Sequence, residues 1–197
     1  MMNATNSIYG ARSAEMESVM HALADCIRSA AAEIKEKTGM NPVEHLKYRI
    51  KAEDSMREKC RRKGLPETPE SALQTVHDAI GLRVVCPFLD DVYAIRDHLC
   101  ARTDLEIIEE KDYIRFVKPN GYRSLHLIVK KDGYYAEIQI RTISMDTWAA
   151  LEHQIRYKKG VGDSSLIFEE LKRCADELAS TDVSLQIIRA VIQEKEG

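Results

Sequence analysis

The chain has 197 residues, 44% of them hydrophobic and 31% charged, with a net charge of −3 and five cysteines. That length supports one core, no apolar run reaches the ~20 residues that cross a bilayer, and no signal-peptide-like segment opens the chain. The cysteines (Cys26, Cys60, Cys86, Cys100, Cys174) are odd in number and form no C-x-x-C pair, which argues against a disulfide frame or zinc site and for a cytoplasmic protein.

Apolar residues Met16, Val19, Met20, Leu23, Ile27, Ala31 and Ile34 recur at helical spacing and predict a helix over 11–37, ended by Gly39. His45–Lys51 alternates as a short strand, and Glu53–Lys63 reads as a basic helix stopped by Gly64. Thr68-Pro69 is an N-cap followed by Pro at the first helical position, so a helix is expected from Pro69 to His77. Leu82–Phe88 reads as a buried strand, Asp90–Ala101 as a helix and Leu105–Val117 as extended chain. Ser124–Lys131 and Tyr134–Thr142 form a hairpin around Asp132-Gly133. Ser144–Lys158 and Ser165–Lys195 are helical. The order predicts an α+β domain, one mixed sheet flanked by helices, with 1–197 as a single unit.

The charge is unevenly placed. Residues 45–63 hold eight basic side chains against three acidic, inside an acidic protein, and suggest an anion site as readily as a solvated helix face. Alternation sets Glu137, Gln139 and Arg141 on one face of the hairpin's second strand, with Ile138 and Ile140 on the other. Just before the buried strand, Asp78-Ala-Ile-Gly81-Leu-Arg83 adds a second carboxylate, and Gly81 is expected to let the backbone turn or a ligand approach closely. Two carboxylates on neighbouring elements with bases nearby suit Mg²⁺ held against phosphate oxygens.

Over about 45–159 the chain resembles the RelA/SpoT synthetase domain, in particular its small RelQ-like alarmone synthetases. The resemblance is carried by Arg49-Ile-Lys51…Ser55…Lys59…Arg62-Lys-Gly64, Asp78-x-x-Gly81-x-Arg83, Lys118-Pro-Asn-Gly-Tyr122-x-Ser-x-His126, Glu137-Ile-Gln-Ile-Arg-Thr142 and Glu152-His153…Tyr157-Lys158. It implies a nucleotidyltransferase-like mixed sheet and pyrophosphoryl transfer from ATP to the 3′-hydroxyl of GDP or GTP, giving (p)ppGpp and AMP. It further implies that Arg49 and Arg83 sandwich the adenine while Lys51, Ser55, Arg57, Lys59 and Arg62 hold the ATP phosphates. On the acceptor side it assigns Tyr122 to the guanine, Lys118 and His126 to phosphates or ribose, and Gln139 and Arg156 to the acceptor nucleotide. Asp78 and Glu137 would bind Mg²⁺, with Glu137 as the general base.

The chain departs from the RelQ-like pattern at Arg156, which stands in place of an Asn near the acceptor base. His45 and Lys47 replace the aromatic and Thr of the allosteric cleft, which argues against activation by bound (p)ppGpp. Two other readings stay open: a toxin-like relative pyrophosphorylating the tRNA 3′ end or an adenosine nucleotide, and a non-catalytic nucleotide- or RNA-binding module. The first would need a basic RNA patch that 1–44 and 163–197 lack; a binding module has no need of two carboxylates beside a donor site. No membrane partner is expected. Leu171, Ala175, Leu178, Ile187, Ile188, Val191 and Ile192 give the last helix apolar stretches, which pack in the core or form a homo-oligomer, with a tetramer favoured.

Overall fold

A computed structural model describes residues 7–156 and 165–196. Five strands form one mixed sheet: β1 (His45–Ile50), β2 (Ile80–Cys86), β3 (Glu106–Asp112), β4 (Leu125–Lys131) and β5 (Tyr134–Thr142). The order is β1-β2-β5-β4-β3, with β2 and β5 parallel and every other pair antiparallel. Helices α1 (Ser13–Thr38), α2 (Glu53–Arg62), α3 (Leu89–Cys100), α4 (Ile143–Arg156) and α5 (Ser165–Glu196) complete the α+β fold.

Strand alternation divides the sheet into two chemically distinct faces. Leu82, Ile138 and Leu127 lie side by side across β2, β5 and β4, as do Val84, Ile140 and Leu125 in the next row, and all six are buried. Helices α1 and α3 cover this face. From α1 it receives Met16, Val19, Met20, Leu23, Ile27 and Ile34, each worth about 1.5–3 kcal/mol on burial. The opposite face carries the polar rows, and α4 meets it along β2 and β5.

Several expected boundaries shift for local reasons. The Pro69–His77 helix is a short turn that widens to π geometry over Ser71–Thr75, although Thr68 Oγ1 caps the Ser71 N–H as expected (3.3 Å). Strand β2 starts two residues early because Ile80 pairs with Ile50 on one side and Ala136 on the other; Phe88 lies past the paired ladder and becomes the N-cap of α3. Strand β3 stops at Asp112, not Val117, because Asp112 Oδ1 accepts the N–H groups of Ile114 and Arg115 and turns the chain. The hairpin turn holds Asp132 at φ 50° and Gly133 at φ 85°, the left-handed pair a two-residue loop needs.

Helix α5 meets the core-packing expectation only in its first half, where Ala175 is buried and Leu171 and Leu178 are half-buried. Its buried positions are Ala175, Asp182 and Arg189, seven residues apart, whereas Ile187, Ile188, Val191 and Ile192 are exposed. Its inward seam is held by polar contacts: Arg189 Nη1 to Asp91 Oδ1 (2.7 Å), Thr142 Oγ1 to Asp182 Oδ2 (2.6 Å), and Gln186 Nε2 to Asp90 Oδ2 (2.6 Å). Among the described residues no helix is long and apolar enough to cross a membrane.

Candidate active site

The polar face is built in rows by strand register. Arg49 on β1 lies opposite Gly81 on β2, which lies opposite Glu137 on β5. In the next row Lys47, Arg83, Gln139 and His126 stand side by side across β1, β2, β5 and β4. Gly81 has no positive φ and makes no turn, contrary to the sequence expectation; its missing side chain leaves open floor between Arg49 and Glu137. Over this floor lies a cavity of about 280 Å³ lined by Lys47, Arg49, Lys51, Asp78, Arg83 and Glu137, among others.

Asp78 reaches the cavity from the turn that precedes β2. Lys51 N–H donates to Ala79 O (2.8 Å), extending the β1–β2 ladder one step and setting Lys51 beside Asp78. Lys51 Nζ (2.7 Å) and Lys59 Nζ (2.5 Å) both donate to Asp78 Oδ2. Burial pushes the Asp78 carboxyl upward, but the two lysine hydrogen bonds and charges outweigh it and leave the group below its ordinary value. Asp78 Oδ1 is buried with no hydrogen-bond partner among the described residues.

Glu137 is held by both oxygens. Gln139 Nε2 donates to Oε2 (2.9 Å), and His126 Nδ1 lies 3.1 Å from Oε1. Here too burial pushes the carboxyl upward, and the His126 and Gln139 contacts overcome it, so Glu137 lies below the ordinary range while Asp78 pushes it back up. An ionised carboxylate only accepts, so His126 donates through Nδ1; in the neutral ring Nε2 then accepts from the Tyr122 hydroxyl at 2.8 Å. Two acidic groups whose charges are felt across one cavity are what Mg²⁺ uses, since it takes one or two carboxylates plus phosphate oxygens. No group of three or more His, Cys, Asp or Glu able to hold a metal occurs among the described residues, so a cage made by protein alone is not offered.

The region found in RelA / SpoT proteins is matched over residues 48–162. The chain belongs to the RelA/SpoT family. It is 43% identical over 146 residues to the GTP pyrophosphokinase YwaC of Bacillus subtilis (strain 168), covering 70% of each chain. It also superposes on the small alarmone synthetase 2 of Bacillus subtilis with a TM-score of 0.79 and 37% identity, covering 89% of this chain and 95% of that one. A third similarity, at TM-score 0.78 and 31% identity over 90% of this chain and 94% of the other, is to the small alarmone synthetase 1 of Bacillus subtilis bound to its product pppGpp.

Within this RelA/SpoT domain the residues 118–126 form a second cluster, joined to the cavity through His126. Lys118 Nζ sits 4.1 Å from the Tyr113 ring centre and 5.1 Å from that of Tyr122, and Tyr122 also meets Trp148 at 6.4 Å between centroids. The loop is shaped by Asn120 Oδ1, which accepts the Tyr122 N–H (3.2 Å), and by Ser124 Oγ, which donates to Ile140 O (3.2 Å). Gly121 has φ 89° and faces α5, where a Cβ would lie 2.7 Å from that of Ala175. Arg123 clamps the same contact, with Nη1 to Ala175 O (3.3 Å) and Nη2 to Asp176 Oδ1 (2.8 Å).

Not every expected residue joins these clusters. Arg57 is engaged by Glu53 (3.6 Å) and Glu67 (3.3 Å), because α2 turns it toward Glu67 in the loop that follows. Ser55 and Arg62 share the Lys59 face of α2 but are exposed and do not line the cavity. Arg156 ends α4 with its side chain outside the described residues, as are Tyr157 and Lys158. Conversely, Asp146, in the first turn of α4, lies 3.4 Å from both Arg83 Nη1 and Arg141 Nε, and Tyr113 packs on Lys118. An acid soon after the Arg141-Thr142 strand end was the available signal for Asp146; nothing local marked Tyr113.

Proposed function

We propose that this RelA/SpoT family member transfers the β,γ-pyrophosphoryl group of ATP to the 3′-hydroxyl of GDP or GTP, forming (p)ppGpp and releasing AMP. The carrying observation is Glu137, ionised by its contacts and facing a cavity shared with Asp78, between the arginine row and the Tyr122–His126 cluster. The names of the similar proteins, a GTP pyrophosphokinase and two small alarmone synthetases, support the same chemistry.

Phosphoryl transfer asks mainly for positioning and charge neutralisation. Arg49 and Arg83 present planar guanidiniums to the adenine, a stacking geometry Lys does not offer. Lys51 and Lys59 bring positive charge to the phosphates; Ser55 and Arg62 share the Lys59 face of α2 and would join them only as ATP fills the slot, whereas Arg57 would first have to leave Glu53 and Glu67. Tyr122 offers a ring to the guanine, and Lys118, His126, Gln139 and Arg156 serve the acceptor. Glu137 takes the proton of the 3′-hydroxyl as that oxygen bonds the β-phosphorus and the bond to the α-phosphate oxygen breaks. General-base assistance of this kind is worth about 10²–10⁴ in rate. Asp78 and Glu137 would hold Mg²⁺, which when bound would neutralise charge on the phosphates, and Asp78 Oδ1, without a hydrogen-bond partner among the described residues, suits such a role. The exposed apolar residues of α5 suit a homo-oligomer, a tetramer by the resemblance, and the whole acts as one cytoplasmic synthetase unit.

The test incubates the protein with Mg²⁺, γ-labelled ATP and, separately, GDP, GTP, AMP or tRNA. Label should pass to GDP or GTP, and Glu137→Gln or Asp78→Asn should abolish it in a folded chain. Label entering tRNA or AMP alone, or wild-type turnover in either variant, would overturn the assignment.

A further inference from the structure

Arg141 continues the Glu137–Gln139 face, yet it is only 2% exposed and does not line the cavity. It therefore has no route to a substrate phosphate. Stability does not explain the guanidinium: Nε has no hydrogen-bond partner among the described residues, and its nearest acid, Asp146, is 3.4 Å away and shared with Arg83. A buried pair so incompletely satisfied is a poor source of stability compared with well-packed apolar side chains.

What Arg141 does hold is Gln139. Its Nη2 donates to Gln139 Oε1 at 2.9 Å. A guanidinium has only donors, so Gln139 must turn its carbonyl toward Arg141, which leaves its NH₂ facing Glu137 Oε2 at 2.9 Å. With the amide reversed, both contacts would fail, donor against donor and acceptor against acceptor. The same Asp146 Oδ1 that lies 3.4 Å from Arg141 Nε also accepts from Arg83 Nη1 (3.4 Å). A continuous line of polar contacts thus runs Arg83–Asp146–Arg141–Gln139–Glu137–His126–Tyr122, from the donor slot through the base to the acceptor ring.

Resting on the reading of Glu137 as the general base, we propose that Arg141 is a positioning residue: it sets the amide orientation of Gln139 and thereby aims the Glu137 carboxylate. It touches neither nucleotide. Its removal lets Gln139 turn over and frees one oxygen of the base to rotate.

The experiment uses the full chain with ATP, GDP and Mg²⁺ and compares Arg141→Met, Arg141→Lys, Gln139→Met and the double variants, with melting temperature recorded for each. Arg141→Met should lower kcat about tenfold, because misaiming a reacting group is expensive, while KM for ATP stays within about twofold and KM for GDP rises no more than it does in Gln139→Met, since Gln139 also serves the acceptor. Arg141→Lys, with one ammonium still able to donate to Gln139, should fall between. In the Gln139→Met background neither Arg141 substitution should lower kcat further by more than about twofold, whatever it does to melting temperature. If Arg141→Met does not fold, the smaller loss in Arg141→Lys carries the same comparison: it must be present beside Gln139 and vanish without it. Equal fold-losses in both backgrounds, or a loss confined to KM, would overturn the inference. A wild-type chain that transfers no label would instead overturn the proposed function, and this inference with it.

Discussion

Gly121→Ala tests whether α5 braces the acceptor loop. Two costs can be read from the geometry. The first is conformational: φ is 89°, and an L side chain in left-handed backbone costs roughly 1–2 kcal/mol. The second is steric: the new Cβ would lie 2.7 Å from Ala175 Cβ and 3.4 Å from Lys172 Cα, an overpacking worth about 1–3 kcal/mol. Together they predict a loss of about 2–5 kcal/mol in urea unfolding. The two parts separate in a cycle with Ala175→Gly. In that background the 2.7 Å clash is gone and only the backbone part and the milder approach to Lys172 remain, so the coupling between the positions should be most of the steric part, about 1–3 kcal/mol. Because Tyr122 follows directly and Arg123 holds Ala175 O and Asp176, KM for GDP should rise in Gly121→Ala while KM for ATP holds. Additive stabilities, with coupling below about 0.5 kcal/mol, would show that the helix does not brace the loop.

Acidification should release the N-terminal segment. Glu53 lies below its ordinary value, first because Ser7 Oγ donates to it, then against burial and with help from the Ile8 N–H and Arg57. A depressed carboxylate contributes stability above its unfolded value near about 4.3 and loses it as pH falls through the folded one, so the stability gap between wild type and Glu53→Gln should close below about pH 4. Removing one partner of the Arg189–Asp91 pair, which is 5% and 3% exposed at the side chains, should cost about 3–5 kcal/mol and lower the melting temperature by roughly 6–20 °C, whereas an unchanged melting curve for Asp91→Ala would deny its structural role. Arg49→Lys keeps the charge but loses the planar stack, so KM for ATP should rise about fivefold or more with KM for GDP unchanged, read by steady-state kinetics.

Much of the catalytic face was legible because it depends on consecutive residues. Alternation alone placed Glu137 and Gln139 together and away from Ile138 and Ile140, and Asp132-Gly133 marked the turn because few residues adopt positive φ. Helix α1 announced its buried stripe by spacing. The Tyr122 and His126 pair, four residues apart just after a glycine turn, was visible as a cluster, although its hydrogen bond was not.

Other features depend on partners distant in sequence, and there the linear pattern was silent. Asp78 meets Lys51 and Lys59 from 27 and 19 residues away, so its two ammonium partners follow from how β1, α2 and the turn before β2 converge. Arg57 carries the same charge as Lys59 but faces Glu67, a choice made by helix rotation. Periodicity showed that α5 has apolar stretches without saying that Ala175, Asp182 and Arg189 turn inward and Ile187 and Ile188 outward. Residue order determined the two-faced strands and the turn that joins them, because side-chain direction and backbone φ are set by neighbours along the chain. Strand order and helix placement alone decided which charges share a cavity and which are buried, because the desolvation and pairing that tune Asp78, Glu137 and Arg141 come from groups brought together only by folding.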